Sequence, residues 1–187
     1  MLNSLLNKYR MKRLFVAFIC IVACCMSTNA KIKTDFGTYA FGASALYGTS
    51  GDYSHGGAGL TLQKFFGDEF RASIFANYFF KQNNASFIEF GTDFNYVFAL
   101  TPKLGIYPVL GLGYSIMKLN NVIEKPAGVD ILPDDYSDDS EGNLNFDLGA
   151  GCEYYFTPSF KGFAEAKYRY VKNYDRTLFQ VGVAYVW

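Results

Sequence analysis

Acids and bases recur at every second position in several stretches of this chain, always on the polar side of an apolar alternation. Arg71 stands between Phe70 and Ala72, Glu89 between Ile88 and Phe90, and Asp93 between Thr92 and Phe94. Asp147 and Glu153, then Glu165, Lys167 and Arg169, repeat the arrangement further on. Five acids and three bases placed this way suit mutual pairing inside a closed space, because an ion taken out of water alone is costly. Acyl-transfer chemistry would need a nucleophile within reach of a base. His55 is the only histidine, with Ser54, Ser86 and Asp52 as conceivable companions, but HxS-type spacing is absent. No catalytic residue is assigned. The stretch Asn120–Gly142 carries Glu124, Asp130, Asp134, Asp135, Asp138, Asp139 and Glu141 against Lys125 alone. It lacks the D-x-[DN]-x-[DN]-G spacing of a calcium loop. It reads as a solvated loop, and no metal or cofactor is assigned.

The elements that must position these charges have a period of two. Eight runs alternate large apolar residues with small or polar ones. They are Tyr39–Tyr47, Ala58–Phe66, Phe70–Phe80, Ile88–Phe98, Leu104–Ile116, Leu144–Phe156, Phe160–Tyr170 and the C-terminal stretch containing Phe179, Val181, Val183, Tyr185 and Trp187. Each has the length needed to cross a bilayer as a tilted strand. The polar faces are rich in glycine (Gly91, Gly105, Gly111, Gly113, Gly149, Gly151), which fits a crowded interior better than a wet surface. The aromatics gather near segment ends, as interfacial girdles do in membrane barrels. Alternation therefore predicts an all-β, eight-stranded antiparallel up-and-down transmembrane barrel, apolar outside and polar within. Leu110, Leu112, Phe146 and Leu148 should face lipid, and Asp147, Glu153 and Glu165 the lumen. Short turns at 67–69, 101–103 and 157–159 alternate with longer connections at 49–57, 81–87, 118–143 and 171–176. Pro108 sits inside the fifth run without a ladder donor, so a bulge or a locally missing bond is expected there.

The start of the chain sets the compartment. Met11, Lys12 and Arg13 precede an apolar run from Leu14 to Met26 and a small-residue end at Ser27–Ala30. Those are the parts of a secretory signal peptide, and the run falls short of the ~20 residues of a spanning helix. Residues 1–30 are read as the signal, with Met11 as an alternative start and cleavage after Ala30. Residues 31–187 are read as the barrel domain. The segment Ile21–Cys24 also resembles a lipobox, which would lipidate Cys24; ordinary cleavage is preferred because a normal c-region follows. Of four cysteines only Cys152 lies beyond residue 30, so no intramolecular disulfide forms. Losing Lys8, Arg10, Lys12 and Arg13 leaves 13 basic against 17 acidic residues. No basic patch results, which argues against nucleic acid as a partner.

The stretch GAGCEYYFTPSFKGFAEAKYRY (Gly149–Tyr170) resembles late strands of the bacterial outer-membrane β-barrel family, of the outer-membrane protein A transmembrane type. The matching features are Gly149 and Gly151, Glu153 and Tyr154, Thr157 and Pro158, and Glu165 and Tyr168. Lys103–Tyr114 resembles an earlier strand. Val183, Tyr185 and Trp187 resemble the family's C-terminal assembly signal, although Phe is commoner at the last position. The resemblance implies a monomer in outer-membrane lipid and lipopolysaccharide, delivered by the barrel-assembly machinery and showing long loops to an unidentified extracellular partner. It also implies a lumen glutamate paired with a base. Glu153 matches that glutamate, whereas Phe163 occupies the position of the usual arginine, leaving Arg71, Lys167 or Arg169 as substitutes. A structural or surface-interaction role follows. A small non-specific channel is the alternative, and a lipid A-modifying enzyme a more distant one.

Overall fold

The computed structural model describes residues 38–50, 53–67, 69–82, 85–119, 139–172 and 175–187. The expected signal peptide and most of the acidic connection lie outside the described residues. Alternating large apolar residues with small or polar ones favours extended backbone, since each face then meets one environment. Among the described residues this yields nine strands: β1 (Tyr39–Ser50), β2 (Tyr53–Phe65), β3 (Phe70–Gln82), β4 (Ala85–Tyr96), β5 (Phe98–Ala99), β6 (Leu104–Leu119), β7 (Asp139–Thr157), β8 (Phe160–Val171) and β9 (Arg176–Val186). All neighbours are antiparallel, and β1 pairs with both β2 and β9. The pairing of β4 with β6 completes the circle. The two-residue β5 continues the line of β4 along β6, so nine strands make eight staves. No helix among the described residues is long and apolar enough to cross a membrane. Closure leaves the wall without a sheet edge in hydrocarbon, where no water could satisfy one.

Two expected connections are strand instead. In the expected connection 49–57, β1 and β2 instead stay paired up to Ser50 and Tyr53. Gly57 is there for proximity: a Cβ on it would lie 2.5 Å from the Tyr78 carbonyl oxygen. Of the expected connection 81–87, residues 81–82 and 85–87 are likewise strand, Gln82 facing Ala85, with a register irregularity between Phe79 and Gln82. The turns at the opposite end use ordinary turn chemistry. Gly67 has φ +128°, a conformation that suits glycine. The Thr101 hydroxyl accepts from the Lys103 and Leu104 amides at 3.2 and 2.9 Å.

The fourth run, read as Ile88–Phe98, breaks at Val97. The cause lies opposite. Asn95 pairs with Val109 and Phe98 with Ile106, an unchanged register that skips Pro108 and Tyr107. Pro108 therefore interrupts pairing towards β4 without a bulge, while its pairing with Ala150 of β7 continues in register. The Val97 amide turns the other way and donates to the Glu69 carbonyl at 2.7 Å. Asn95 Nδ2 donates to the Pro108 carbonyl at 3.4 Å.

The outer wall is largely apolar. Leu110, Leu112, Phe146 and Leu148 are exposed, with Leu112 at 60%. Asp147 and Glu153, one residue out of phase, are at 0% and 1%. A soluble barrel would show the reverse. An aromatic belt closes around the end where β1 and β9 meet. Tyr185 stacks on Trp187 at 6.1 Å and Trp187 on Tyr39 at 6.2 Å. Lys64 Nζ bridges the rings of Tyr39 and Phe66 at 5.3 and 5.5 Å. Phe66, Phe70 and Phe94 continue the ring on one side. Tyr154, Phe156 and Phe160 continue it on the other. Amphipathic rings with a lysine between them suit the level of lipid headgroups.

Candidate functional site

The lumen is where this chain's chemistry is concentrated. Strand parity aims one residue in two inwards, and the wall is narrow enough that inward glycines are needed to admit the rest. Gly91 faces Gly113 across β4 and β6. A Cβ on Gly91 would meet the Leu112 carbonyl oxygen at 2.4 Å and the Phe75 ring at 2.8 Å. On Gly151 it would strike the Tyr107 ring at 2.6 Å. Those glycines are space for neighbouring side chains. An eight-stranded interior has just enough room for side chains in any case.

The charged side chains fall into three groups, which follow one another along β8 from Lys161 to Arg169. In the first, Glu153 receives Arg71 at 2.5 Å and Lys161 at 2.8 Å. Arg71 also donates to Asn95 at 3.2 Å and lies 4.4 Å from the centre of the Tyr107 ring. In the second, Lys167 lies 2.8 Å from Asp93 and 3.2 Å from Glu165. The Tyr107 hydroxyl donates to Glu165 at 3.0 Å, which links the second group to the first. In the third, Arg169 pairs with both Asp147 and Glu89, its Nε reaching Asp147 at 2.6 Å. Arg176 also pairs with Glu89. Ser115 donates to Glu89 at 3.1 Å and Asn145 to Ser115 at 2.7 Å.

Arg71, Glu89, Asp93, Asp147, Glu153, Glu165, Lys167 and Arg169 are thus all buried and joined by ion pairs across the lumen. Of the three bases left open as partners of Glu153, the structure selects Arg71. Phe163 faces Glu153 on the neighbouring strand and packs among apolar residues. Sequence reading missed Lys161 and Arg176. Lys161 shares the parity of Glu165, Lys167 and Arg169, a signal that was available. Arg176 had been assigned to a connection, although it shares the parity of Leu178 and Gln180. With both included, the buried charged side chains among the described residues are five acids and five bases, so the charges of the described lumen balance. Balance matters because each ion loses several kcal/mol of hydration, recovered only through close partners. Single atoms remain without a hydrogen-bond partner, among them Arg71 Nη2, Glu153 Oε1 and Asp93 Oδ1, each on a group bonded through another atom.

Both ends of this column are covered by apolar side chains, which the alternation had not suggested. At the end with the belt, Ala40, Phe65, Val97, Tyr155, Phe163, Ala184 and Val186 form one inward cluster with Tyr107 and Val109. At the other end Leu46, Phe79, Phe87 and Leu178 form a second. Arg176 is held between them, 4.7 Å from the Phe79 ring centre and 4.6 Å from that of Phe87. His55 belongs to this end: it is buried on β2 opposite Gly48, with its ring edge-on to Phe87 at 5.0 Å. It is a strand residue in the wall rather than a loop residue beside Ser54. Among the described residues no group of three or more His, Cys, Asp or Glu side chains is placed to hold a metal ion. Cys152 is free and faces outwards. Val183, Tyr185 and Trp187 also point outwards, Tyr185 and Trp187 within the belt.

A family model described as the outer membrane protein beta-barrel domain matches residues 16–186. No curated protein matches in sequence. Among solved structures, the attachment invasion locus protein Ail of Yersinia pestis is similar with a TM-score of 0.57 at 15% identity, over 81% of this chain and 99% of that one. Neisserial surface protein A is similar with a TM-score of 0.56 at 16% identity, over 79% of this chain and 95% of that one. The N-terminal β-barrel domain of Pseudomonas aeruginosa OprF gives 0.53 at 18% identity, over 79% and 97%. At these identities the likeness is one of fold.

Proposed function

The chain belongs to the outer membrane protein β-barrel family and is an integral protein of the Gram-negative outer membrane, and we propose that within it this barrel is a sealed structural or surface-interacting element rather than a channel or an enzyme. The observation that carries the reading is the filled lumen: balanced, cross-linked charges between two apolar caps. Ion flow would require the pairs to separate and water to replace them, against attractions strengthened by low dielectric. The wall itself is the functional surface in this reading. Its partners are outer-membrane lipid and lipopolysaccharide, and an extracellular molecule meeting the ends of the loops. It acts as a monomer and needs no cofactor. Vesicles carrying the purified protein should take up arabinose no faster than protein-free vesicles. Uptake at the rate given by a general porin would overturn the reading. Lipid A recovered from the same vesicles should keep its mass; a gained or lost acyl chain would restore the enzyme alternative.

Val183, Tyr185 and Trp187 act in this account as the signal read by the barrel-assembly machinery. Deleting Val186 and Trp187 removes the Val186–Ser159 backbone bond and both bonds between Tyr39 and Trp187, each 2.9 Å. It also removes the central ring of the Tyr185–Trp187–Tyr39 stack. The shortened protein is expected to be exported yet to accumulate unfolded in the periplasm. Heat-modifiable gel mobility and surface labelling check this, and normal values for both would refute it.

A further inference from the structure

The apolar band on the outer wall is not equally tall all the way round. Following register partners once around the wall from Tyr39 leads back to Thr49 on the same strand. Sharing that climb among the eight staves fixes which residues lie level. Tyr39, Phe66, Phe70, Phe98, Tyr154 and Phe160 then fall at one height, so the lower edge of the band is flat. The upper edge is not. Among the described residues, the highest apolar outward side chains are Phe80 on β3, Ile88 on β4, Ile116 on β6, Leu144 on β7 and Tyr170 on β8. On β1, β2 and β9 they are Tyr47, Ala58 and Phe179. These stop roughly three residues lower, about 8 Å on strands tilted by about 40°.

Above the shorter side stand hydroxyls. Thr49 is the register partner of Ser54 on β2 and of Thr177 on β9, which makes one row across three neighbouring staves. The row lies at the height that Phe80, Ile88 and Leu144 occupy elsewhere. A flat outer leaflet would either bury these hydroxyls in hydrocarbon or leave those apolar side chains in water. Burying a hydroxyl without a partner is costly, whereas a bilayer thins beside a short apolar span at modest cost. Outward Thr92 shows that a single hydroxyl is tolerated deeper in the wall; three in a row mark a boundary. A rigid tilt does not remove the difference, because it would raise the lower edge on the same side. We propose that the lipid beside β9, β1 and β2 is about 8 Å thinner than the lipid around the rest of the wall, with Thr49, Ser54 and Thr177 among its outer headgroups. The proposal rests on the reading of the outer wall as a lipid-facing surface and does not depend on whether the lumen conducts.

The test places single nitroxide labels on the whole chain, folded in phosphatidylcholine vesicles, in a Cys152→Ser background. Thr49→Cys and Ile88→Cys lie at one height, as do Thr177→Cys and Phe146→Cys. Ala43→Cys and Phe94→Cys form a level pair nearer the lower edge. Heat-modifiable mobility confirms that each labelled barrel is folded. Relative to oxygen, a water-soluble nickel chelate should reach the Thr49 and Thr177 labels at least threefold more than the Ile88 and Phe146 labels. The Ala43 and Phe94 labels should give equal ratios, with oxygen dominant. Equal ratios within either upper pair would overturn the inference while leaving the wall in lipid. So would a difference between Ala43 and Phe94 as large as the upper one, which is the mark of a rigid tilt. A dominant nickel chelate at Ala43 and Phe94 would instead remove the lipid-facing reading on which the proposal rests.

Discussion

Replacing Arg169 with methionine is expected to cost about 3–5 kcal/mol of folding stability, the usual consequence of removing one partner from a buried charge cluster. Arg169 is fully buried and touches two acids, Asp147 through two nitrogens and Glu89 through a third. Glu89 keeps Arg176 and Ser115 after the change. Asp147 loses every ion pair it has among the described residues. The stranded carboxylate, more than the lost attraction, makes up the penalty. Adding Asp147→Leu to Arg169→Met should therefore recover part of the loss, because it removes the group left without a partner. Denaturant midpoints in vesicles measure both variants. A double variant no more stable than the single one would show that the cost lies in packing against Phe75, over which the guanidinium sits at 5.2 Å.

The second large effect lies on the outer face. Leu112 stands between Gly111 and Gly113, and its register partners Thr92 and Phe146 also point outwards. Leu112→Arg should cost about 2–4 kcal/mol, the range for a basic side chain at the bilayer midplane. Gly111 could not be used for the same comparison. A Cβ there would lie 2.2 Å from Asp93 Oδ1 and 3.0 Å from the Asp147 Cβ, so any substitution disturbs the charge column as well. Guanidinium unfolding in vesicles would check the figure, and a change below about 0.5 kcal/mol, the range of ordinary surface substitutions, would mean that this face is not in lipid.

Much of this architecture could be read from alternation, for a physical reason. A strand has two faces, so one apolar parity assigns every side chain on a run to the lumen or to the outside. The faces of Leu110, Leu112 and Asp147 follow from parity alone. Strand length follows less well, because glycine-rich ends look like loops. Ser54-His55-Gly56-Gly57 is strand, and Gly57 is there because the neighbouring strand β3 leaves no room for a side chain. Partner choice is harder still. Arg71 and Glu153 are 82 residues apart, and nothing local says which base a glutamate on another stave will meet. Inward Phe65 and Phe79 were hidden for a third reason: the outward aromatics Phe66, Tyr78 and Phe80 beside them blur the contrast between the two parities, while Phe87 fell in the expected connection 81–87. The caps they form become visible only when the staves are closed into a circle.

Current through single molecules in a planar bilayer tests the sealed lumen most directly. With Arg71 and Lys161 both on Glu153, and apolar caps beyond each end of the charge column, the folded protein should show no stable open state of nanosiemens size at either polarity. A reproducible, cation-selective conductance that Glu153→Gln abolishes would contradict the account and establish the barrel as a small channel.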